Sequence, residues 1–535
     1  MNIIEAIKRR VLKYLGIEKL NDNPNSERLT FISDEEDIVR QNLNEYKTWY
    51  VGSSDELLNY YTNEQSYGNA REPIYNRNRK NYFWGISSEE GNIKRVHSGI
   101  PNAIVSTLVN AIGDAKITSS DPLVEARLDK IKKSNDMTHL LNQQQMPLTL
   151  VEGWGAFKVS FNQSLSDSPI IQYYEGQNVE YVYSFGILIG IIYKDFYKYN
   201  NRDYVLLETR RINNGNSCIE YELFRLEKSN DVVSVPLDTI PELAGLQNVT
   251  IPGLKRVLGV PTKFFYDPLN PNYGKSIYCG KIDLFDDLDQ DLSQCSQTVR
   301  VSTPVEYYPV DLLERQSNGM PKMPKVYNRQ YVQKEGMPNG DGTTDGQIQT
   351  TQPDLHFDSY SENAKSILDF ILTGILSPAT MGIDIAKKDN ADAQREKEKV
   401  TIMTRNNIID REQRILKDLM ELCLIIQEYL ETGSISLVDY DVSVTFNEFA
   451  NPSFENELTI LGPAWSNGQI STEKYVDILW GDKLSKEDKA KEIAYLEQNK
   501  MQDNLQLGDF ENEEPIGEDS EQQNEDSIQS QEVKE

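Results

Sequence analysis

The chain has 535 residues, too many for one hydrophobic core, so two to four domains are expected. Its formal net charge is −29, which argues against a protein that grips nucleic acid by neutralising phosphates, although a surface past which DNA slides stays compatible with it. Apolar residues make up 38%, enough for several cores, and 29 tyrosines against 16 phenylalanines suggest many half-wet contacts of the kind assembling proteins use. The four cysteines, Cys218, Cys279, Cys295 and Cys423, lie far apart with no C-x-x-C pair, so reduced thiols are expected.

Near the N-terminus, Ile4, Ile7, Val11 and Leu15 form one helical stripe, with Lys8, Arg9, Arg10 and Lys13 around it. Those charges interrupt a secretory apolar run, and the pattern reads as a helix packed on its own domain or a neighbour. Contact with a membrane surface is the alternative. No run of 18 apolar residues occurs, so no membrane-spanning segment is expected. Asp34 is placed to cap a helix reaching about Tyr50, and Asp55 a second one. A polar loop rich in Asn and Arg follows between Tyr67 and Tyr82. An apolar helix then spans Ile100 to Ile112, with Pro101 in its first turn.

From about Gly153 the period changes to that of strands. Ala156 to Phe161, Ile170 to Tyr174, Val179 to Tyr183 and Ile187 to Tyr193 are rich in β-branched and aromatic residues. Two further strands, Tyr204 to Arg211 and Cys218 to Leu226, flank Asn213-Asn214-Gly215-Asn216, a hairpin signal. A β-rich block of about residues 153–227 is thus inserted in a helical frame.

Helix returns from Ile277 to about Val301. Ile282, Phe285, Leu288 and Leu292 form its apolar stripe, while Asp283, Asp286, Asp287, Asp289 and Asp291 occupy the rest. Aspartates at that density are expected to face water or basic neighbours. Prolines at 304, 309, 321 and 324 follow, then a glycine-rich exposed loop from Gly336 to Gly346. A second helix starts at about Ser361 and carries Ile367, Phe370, Ile371 and Ile375. After an irregular stretch from Ser377 to Ala393, a long helix runs from Asp392 to Leu430, with Ile408, Ile415, Leu419, Leu422, Ile426 and Tyr429 at helical spacing and Gly433 as its stop. Leu437 to Phe446 alternates as a strand, and Phe454 to about Gln498 reads as helical. From Met501 onward the chain carries twelve acidic residues against one lysine, a composition expected to be disordered; without that segment the net charge is still −18.

Catalytic patterns are scarce. The three histidines, His97, His139 and His356, form no metal or triad motif. Gly274-Lys275-Ser276 matches the end of a phosphate-binding loop, but Leu269 stands where that loop requires glycine. Acidic pairs such as Asp439 and Asp441 are read as surface carboxylates rather than metal ligands. No catalytic residue, cofactor or metal is expected, and the chain is not read as an enzyme.

Two stretches carry a likeness to a known family. Residues 273–292, YGKSIYCGKIDLFDDLDQDL, resemble the start of the first stem helix in portal proteins of tailed bacteriophages, the siphophage type. Residues 367–384, ILDFILTGILSPATMGID, followed by Asn390, Ala391 and the long helix, resemble the second stem helix, tunnel loop and wing-crossing helix of the same family. HSGIPNAIVS (97–106) and VEGWGAFK (151–158) resemble its N-terminal wing segments, so the likeness spans roughly residues 90 to 450. The chain departs from the pattern at Cys295-Ser-Gln-Thr-Val299, where the family has a more basic or apolar helix end, and in its acidic tail.

The resemblance implies an α+β portal fold with helical wing, β-rich insertion, two-helix stem, clip and helical crown. On this sequence the wing covers residues 1–276, with a return over 394–450. The stem takes 277–301 and 361–376, the clip 302–360, the tunnel loop 377–393 and the crown 451–500, ahead of the tail 501–535. It implies a ring, typically of twelve subunits, at one capsid vertex of the virion, assembled in the host cytoplasm. Its partners would be copies of itself, the terminase large subunit, a head-completion adaptor, the major capsid or scaffold protein, and double-stranded DNA passing through without tight binding. No membrane is implied.

Carried onto this chain, Pro378, Gly382, Asp384, Lys387, Lys388 and Asn390 belong to the tunnel loop, where the two lysines would touch phosphates or remain ordinary surface lysines. Asp283, Asp286, Asp287 and Asp291 would line the channel, or else pair with basic residues of neighbouring subunits. Tyr327, Tyr331 and Asn339, beside Tyr307, Tyr308 and the Gly336 to Gly346 loop, would be clip contacts, with burial between subunits the favoured role for the tyrosines. The competing readings are another virion structural protein, such as a scaffold-binding or tail-hub component, and an acidic metal-dependent nuclease.

Overall fold

A computed structural model describes residues 34–62, 82–86, 93–162, 164–226, 232–268, 271–302, 304–309, 315, 317, 319–320, 322, 330–334, 349–352, 357–383, 391–435, 440–446, 461–480 and 488–498. The fold is α+β, in two compact units, residues 1–449 and 450–535.

In the first unit, α1 (Asp34–Val51) and α2 (Ser54–Thr62) precede α3 (Ile100–Ile112). The second of these starts one residue before Asp55, which lies in its first turn. Ile104, Val105, Leu108 and Ile112 bury one face of α3, and Arg405 closes its C-terminus by donating from Nε to Ala111 O (2.6 Å) and from Nη2 to Ile112 O (3.3 Å). The short strand β1 (Ala115–Thr118) leads to α4 (Pro122–Ser134), whose first turn is capped by Asp121 accepting from Leu123 N at 2.9 Å. A π turn over Leu140–Gln145 then runs into α5 (Met146–Glu152).

Strands fill residues 154–226, and three more, at 232–235, 249–251 and 259–263, lie past the expected end near residue 227. The strands β2 (Trp154–Ser160), β3 (Ile170–Glu175) and β10 (Gly259–Lys263) make an antiparallel sheet with β2 in the centre. A larger antiparallel sheet runs β4 (Val179–Ser184), β5 (Ile187–Tyr199), β6 (Arg202–Asn213), β7 (Asn216–Leu226), β8 (Val232–Val235), with β9 (Val249–Ile251) also paired to β7. Two-residue turns join the first four of these strands, each with both central residues at positive φ: Phe185-Gly186, Asn200-Asn201 and Asn214-Gly215. This geometry matches the twist of antiparallel strands and ordinarily selects Asn or Gly. Arg210 ties the two sheets together, donating from Nη1 to Leu258 O at 2.8 Å and from Nε to Glu208 Oε1 at 2.6 Å.

The acidic helix α6 (Ile282–Val301) starts five residues later than the sequence suggests, because Gly280 turns left-handed at φ 76° and residues 278–281 form turns. After it, β11 (Val305–Pro309) pairs in parallel with β12 (Gln330–Lys334) and antiparallel with β13 (Gln349–Thr351). The helix α7 (Phe357–Leu372) lies four residues ahead of its expected position and ends before Gly374, at φ 79°. The 42-residue α8 (Ala391–Thr432), about 63 Å long, stops at Gly433, whose φ of 71° and hydrogen bond to Tyr429 O form a left-handed cap. Its second half is buried on most sides, through Leu416, Leu419, Met420, Cys423 and Ile426. The strand β14 (Ser443–Phe446) pairs with β1. It is shorter than the expected Leu437–Phe446, since residues 440–442 are irregular and 436–439 lie outside the described residues.

In the second unit the expected helix is interrupted at residues 467–471, between a helical piece at 461–466 and α9 (Thr472–Trp480); residues 488–498 are helical too, and 481–487 lie outside the described residues. Gly468, at φ 73°, makes this break. Tyr475, Val476 and Leu479 form its core, and Trp465 stacks on Tyr475 with ring centroids 5.1 Å apart. The N-terminal amphipathic stripe, residues 4–15, and the acidic segment from Met501 lie outside the described residues.

Candidate functional site

The helices α6 and α7 pack side by side and antiparallel. Thr298 Oγ1 lies 3.3 Å from the Tyr360 hydroxyl, Asn363 donates to Asp291 Oδ1 at 3.0 Å, and Lys281 Nζ donates to Phe370 O (2.6 Å) and Thr373 O (3.3 Å). Lys281 thus neutralises the open carbonyls at the C-terminus of α7. Because the pair is antiparallel, the connection through β11, β12 and β13 leaves and returns at one end. The turn toward α8 lies at the other.

Along α6, Ile282, Phe285 and Leu288 are buried and Leu292 is half-buried, as the stripe requires. The aspartates divide into two groups. Asp283 and Asp287 are exposed, with Asp283 accepting from the Tyr82 hydroxyl. Asp286, Asp289 and Asp291 are buried, contrary to the expectation that this face meets water, a channel or basic neighbours. The chain's own donors hold them instead. Asp286 accepts from Phe83 N (2.7 Å) and Trp84 N (3.4 Å), and Asp289 from Ser98 N (2.8 Å), Trp84 Nε1 (3.1 Å) and His97 Nδ1 (2.7 Å). Burial pushes the Asp286 carboxyl up to about 7, against the pull of the two N–H groups, and Asp289 and Asp287 add to the rise. Burial also raises Asp287, with help from Asp283.

After α7 the chain turns tightly. Ile383 N donates to Pro378 O and Gly382 N to Ala379 O, both at 3.1 Å, and Gly382 takes φ 73°. Thr401 of α8 holds this turn, its Oγ1 accepting from Ser377 N at 2.9 Å and lying 2.8 Å from Thr380 Oγ1. Pro378 and Gly382 therefore sit in a compact turn clamped to the long helix. Asp384, Lys387, Lys388 and Asn390 lie outside the described residues. In the connecting sheet, Tyr331 of β12 is in register with Glu306, and Tyr307 and Tyr308 of β11 with Val332 and Gln333. Tyr327 and Asn339 lie outside the described residues.

Sequence places His97 in a wing-like stretch but assigns no role to its side chain. Its ring lies 5.7 Å from Trp49 and 6.5 Å from Trp84, and its Nε2 is buried without a partner among the described residues. Gly52, at φ 68°, leaves room for it: a Cβ there would stand 2.8 Å from His97 Nε2. The Gly274-Lys275-Ser276 stretch has a structural role. A Cβ on Gly274 would stand 2.0 Å from Gly153 O, and Ser276 Oγ donates to Val151 O, so close packing of two loops dictates this sequence. Among the described residues no cluster of three or more His, Cys, Asp or Glu is arranged to hold a metal ion, and no helix is long and apolar enough to cross a membrane.

Comparison with protein-family descriptions and with curated proteins finds no match. Among solved structures the chain is similar to one described as "Neck of empty GTA particle computed with C6 symmetry", with a TM-score of 0.36 and 11% identity over 71% of this chain and 90% of that one. A likeness at that level carries no functional argument.

Proposed function

We propose that the chain is one protomer of a portal ring of a tailed bacteriophage, the channel at a capsid vertex through which DNA is packaged and ejected. The observation that supports this is an order of elements: a helix (282–301), a small sheet at its far end, an antiparallel partner helix (357–372), a clamped turn, and a 42-residue helix. The stem, clip, tunnel loop and wing helix of the portal resemblance are these elements in this order.

On this reading the ring holds about twelve copies at the portal vertex, after assembly in the host cytoplasm. The clip sheet docks the terminase large subunit during packaging and the head-completion adaptor afterwards, and the wing seats in the major capsid or scaffold protein. The channel does no chemistry of its own. Asp283 and Asp287 keep the stem acidic so that DNA slides. Lys387 and Lys388 make brief phosphate contacts from the tunnel loop. Negative-stain microscopy of the purified chain tests the reading: rings with a central hole are expected, whereas compact particles or open filaments would contradict it.

A further inference from the structure

The turn between β4 and β5 stands apart from its two neighbours. Where the other tight turns place Asn at the first central position, this one places Phe185, at φ 51°. A bulky side chain is disfavoured there, and its ring gains nothing from the fold in return, being 102% exposed; Ile187, just past the turn, is 67% exposed. An unfavourable backbone position kept for a fully solvent-exposed aromatic points to a contact made elsewhere.

Beside this tip lies a cationic ledge. Lys263 Nζ stands 5.7 Å from the ring of Tyr183, two residues before the tip, and 5.4 Å from the ring of Tyr266. The Arg411 guanidinium stands 4.3 Å from the ring centroid of Tyr266, which itself is 54% exposed. Lys263 Nζ donates to Pro271 O at 3.3 Å, and neither cation has a carboxylate partner among the described residues, in a chain with 84 acidic side chains. Burial and the neighbouring Arg411 pull the Lys263 ammonium below its usual range, against the attraction of Tyr266. Exposed Phe185, Ile187 and Tyr266 beside the half-buried Lys263 and Arg411 make the composition of a protein interface rather than of a phosphate track. The unpaired cations select an acidic partner.

We propose that Phe185, Ile187, Lys263, Tyr266 and Arg411 form a subunit–subunit contact that receives the acidic surface of a second copy of this chain. The inference rests on the ring reading above. Protomers of net charge −29 repel one another at long range, so a closed ring needs a locally complementary patch, and a head-to-tail contact supplies one without using it twice on the same interface.

The test compares the full-length wild type with Phe185→Asn and with Lys263→Gln/Arg411→Gln by native mass spectrometry, at a concentration where the wild type is assembled. Far-UV circular dichroism and thermal melting are followed on the same samples. Asn suits the positive-φ position, so Phe185→Asn is expected to hold or raise the melting temperature while the assembled fraction falls at least tenfold. The double variant is expected to lose assembly with its fold intact. Rings of unchanged yield in both variants would overturn the contact and leave the ring reading standing. Unchanged rings with weakened DNA retention in the double variant would assign the ledge to phosphate instead. A wild type that never associates would sink both.

Discussion

Asp289 of α6 accepts a hydrogen bond from His97 at 2.7 Å, across 192 positions of sequence, in a pocket that also directs Trp84 Nε1 and Ser98 N at the same carboxylate. Three donors on one buried acid make it a structural anchor, fixing the segment ahead of α3 against the acidic helix. Asp289→Ala leaves those donors unpaired and is expected to cost about 3 kcal/mol in chemical denaturation. Gly52→Ala is expected to cost about 2 kcal/mol, since it combines an unfavourable φ with a side chain against His97 Nε2.

The split among the aspartates separates packing from channel function. Asp286→Lys or Asp291→Lys places a cation on a buried position whose carboxylate the fold hydrogen-bonds, and each is expected to lower stability by about 3 kcal/mol. Asp283→Lys with Asp287→Lys changes exposed positions. That pair is expected to leave the melting temperature nearly unchanged while reducing the DNA packaged per head. Normal packaging by the exposed pair would remove the acidic-stem account.

Glu412 of α8 is fully buried, with Oε2 accepting from Gln145 Nε2 at 3.1 Å. Glu412 Oε1 and Gln145 Oε1 both lack a partner among the described residues. Burial pushes this carboxyl from 4.5 up to about 8, with the Gln145 hydrogen bond pulling the other way. The folded chain therefore keeps a proton that the unfolded chain releases. The stabilisation is complete below about pH 4.5, declines as pH rises, and is gone once pH passes about 8. Glu412→Gln removes this titration and offers an N–H to Gln145 Oε1. Melting curves at pH 5 and pH 8.5 are expected to show the variant gaining on the wild type only at the higher pH; a constant difference would contradict it.

Lys387→Ala with Lys388→Ala tests the tunnel-loop contact. If the two ammonium groups touch passing phosphates, each head is expected to hold less DNA, with a deficit that depends on salt. Normal filling at every ionic strength would reduce them to surface lysines.

Much of the fold was legible because local chemistry and tertiary structure agree. The Asn214-Gly215 turn, Pro101 in the first turn of α3 and Gly433 after α8 each mark a boundary by backbone geometry alone. The burial of Asp286, Asp289 and Asp291 was not legible. Helical periodicity shows that α6 has a polar face, but only tertiary packing reveals that the backbone N–H groups of Phe83, Trp84 and Ser98 cover it. The parallel pairing of β11 with β12 was hidden for a related reason, since strands separated by a long connection announce neither partner nor direction. Phe185 left a faint signal: a Phe-Gly pair between two alternating strands, where an Asn-Gly pair would have been read at once as a turn.

The central claim is that copies of this chain close into a ring. Native mass spectrometry of the purified full-length protein tests it most directly. The account predicts one dominant closed species near twelve times 61.3 kDa, with few intermediates. A stable dimer, or an open ladder of masses without a preferred closure, would contradict it.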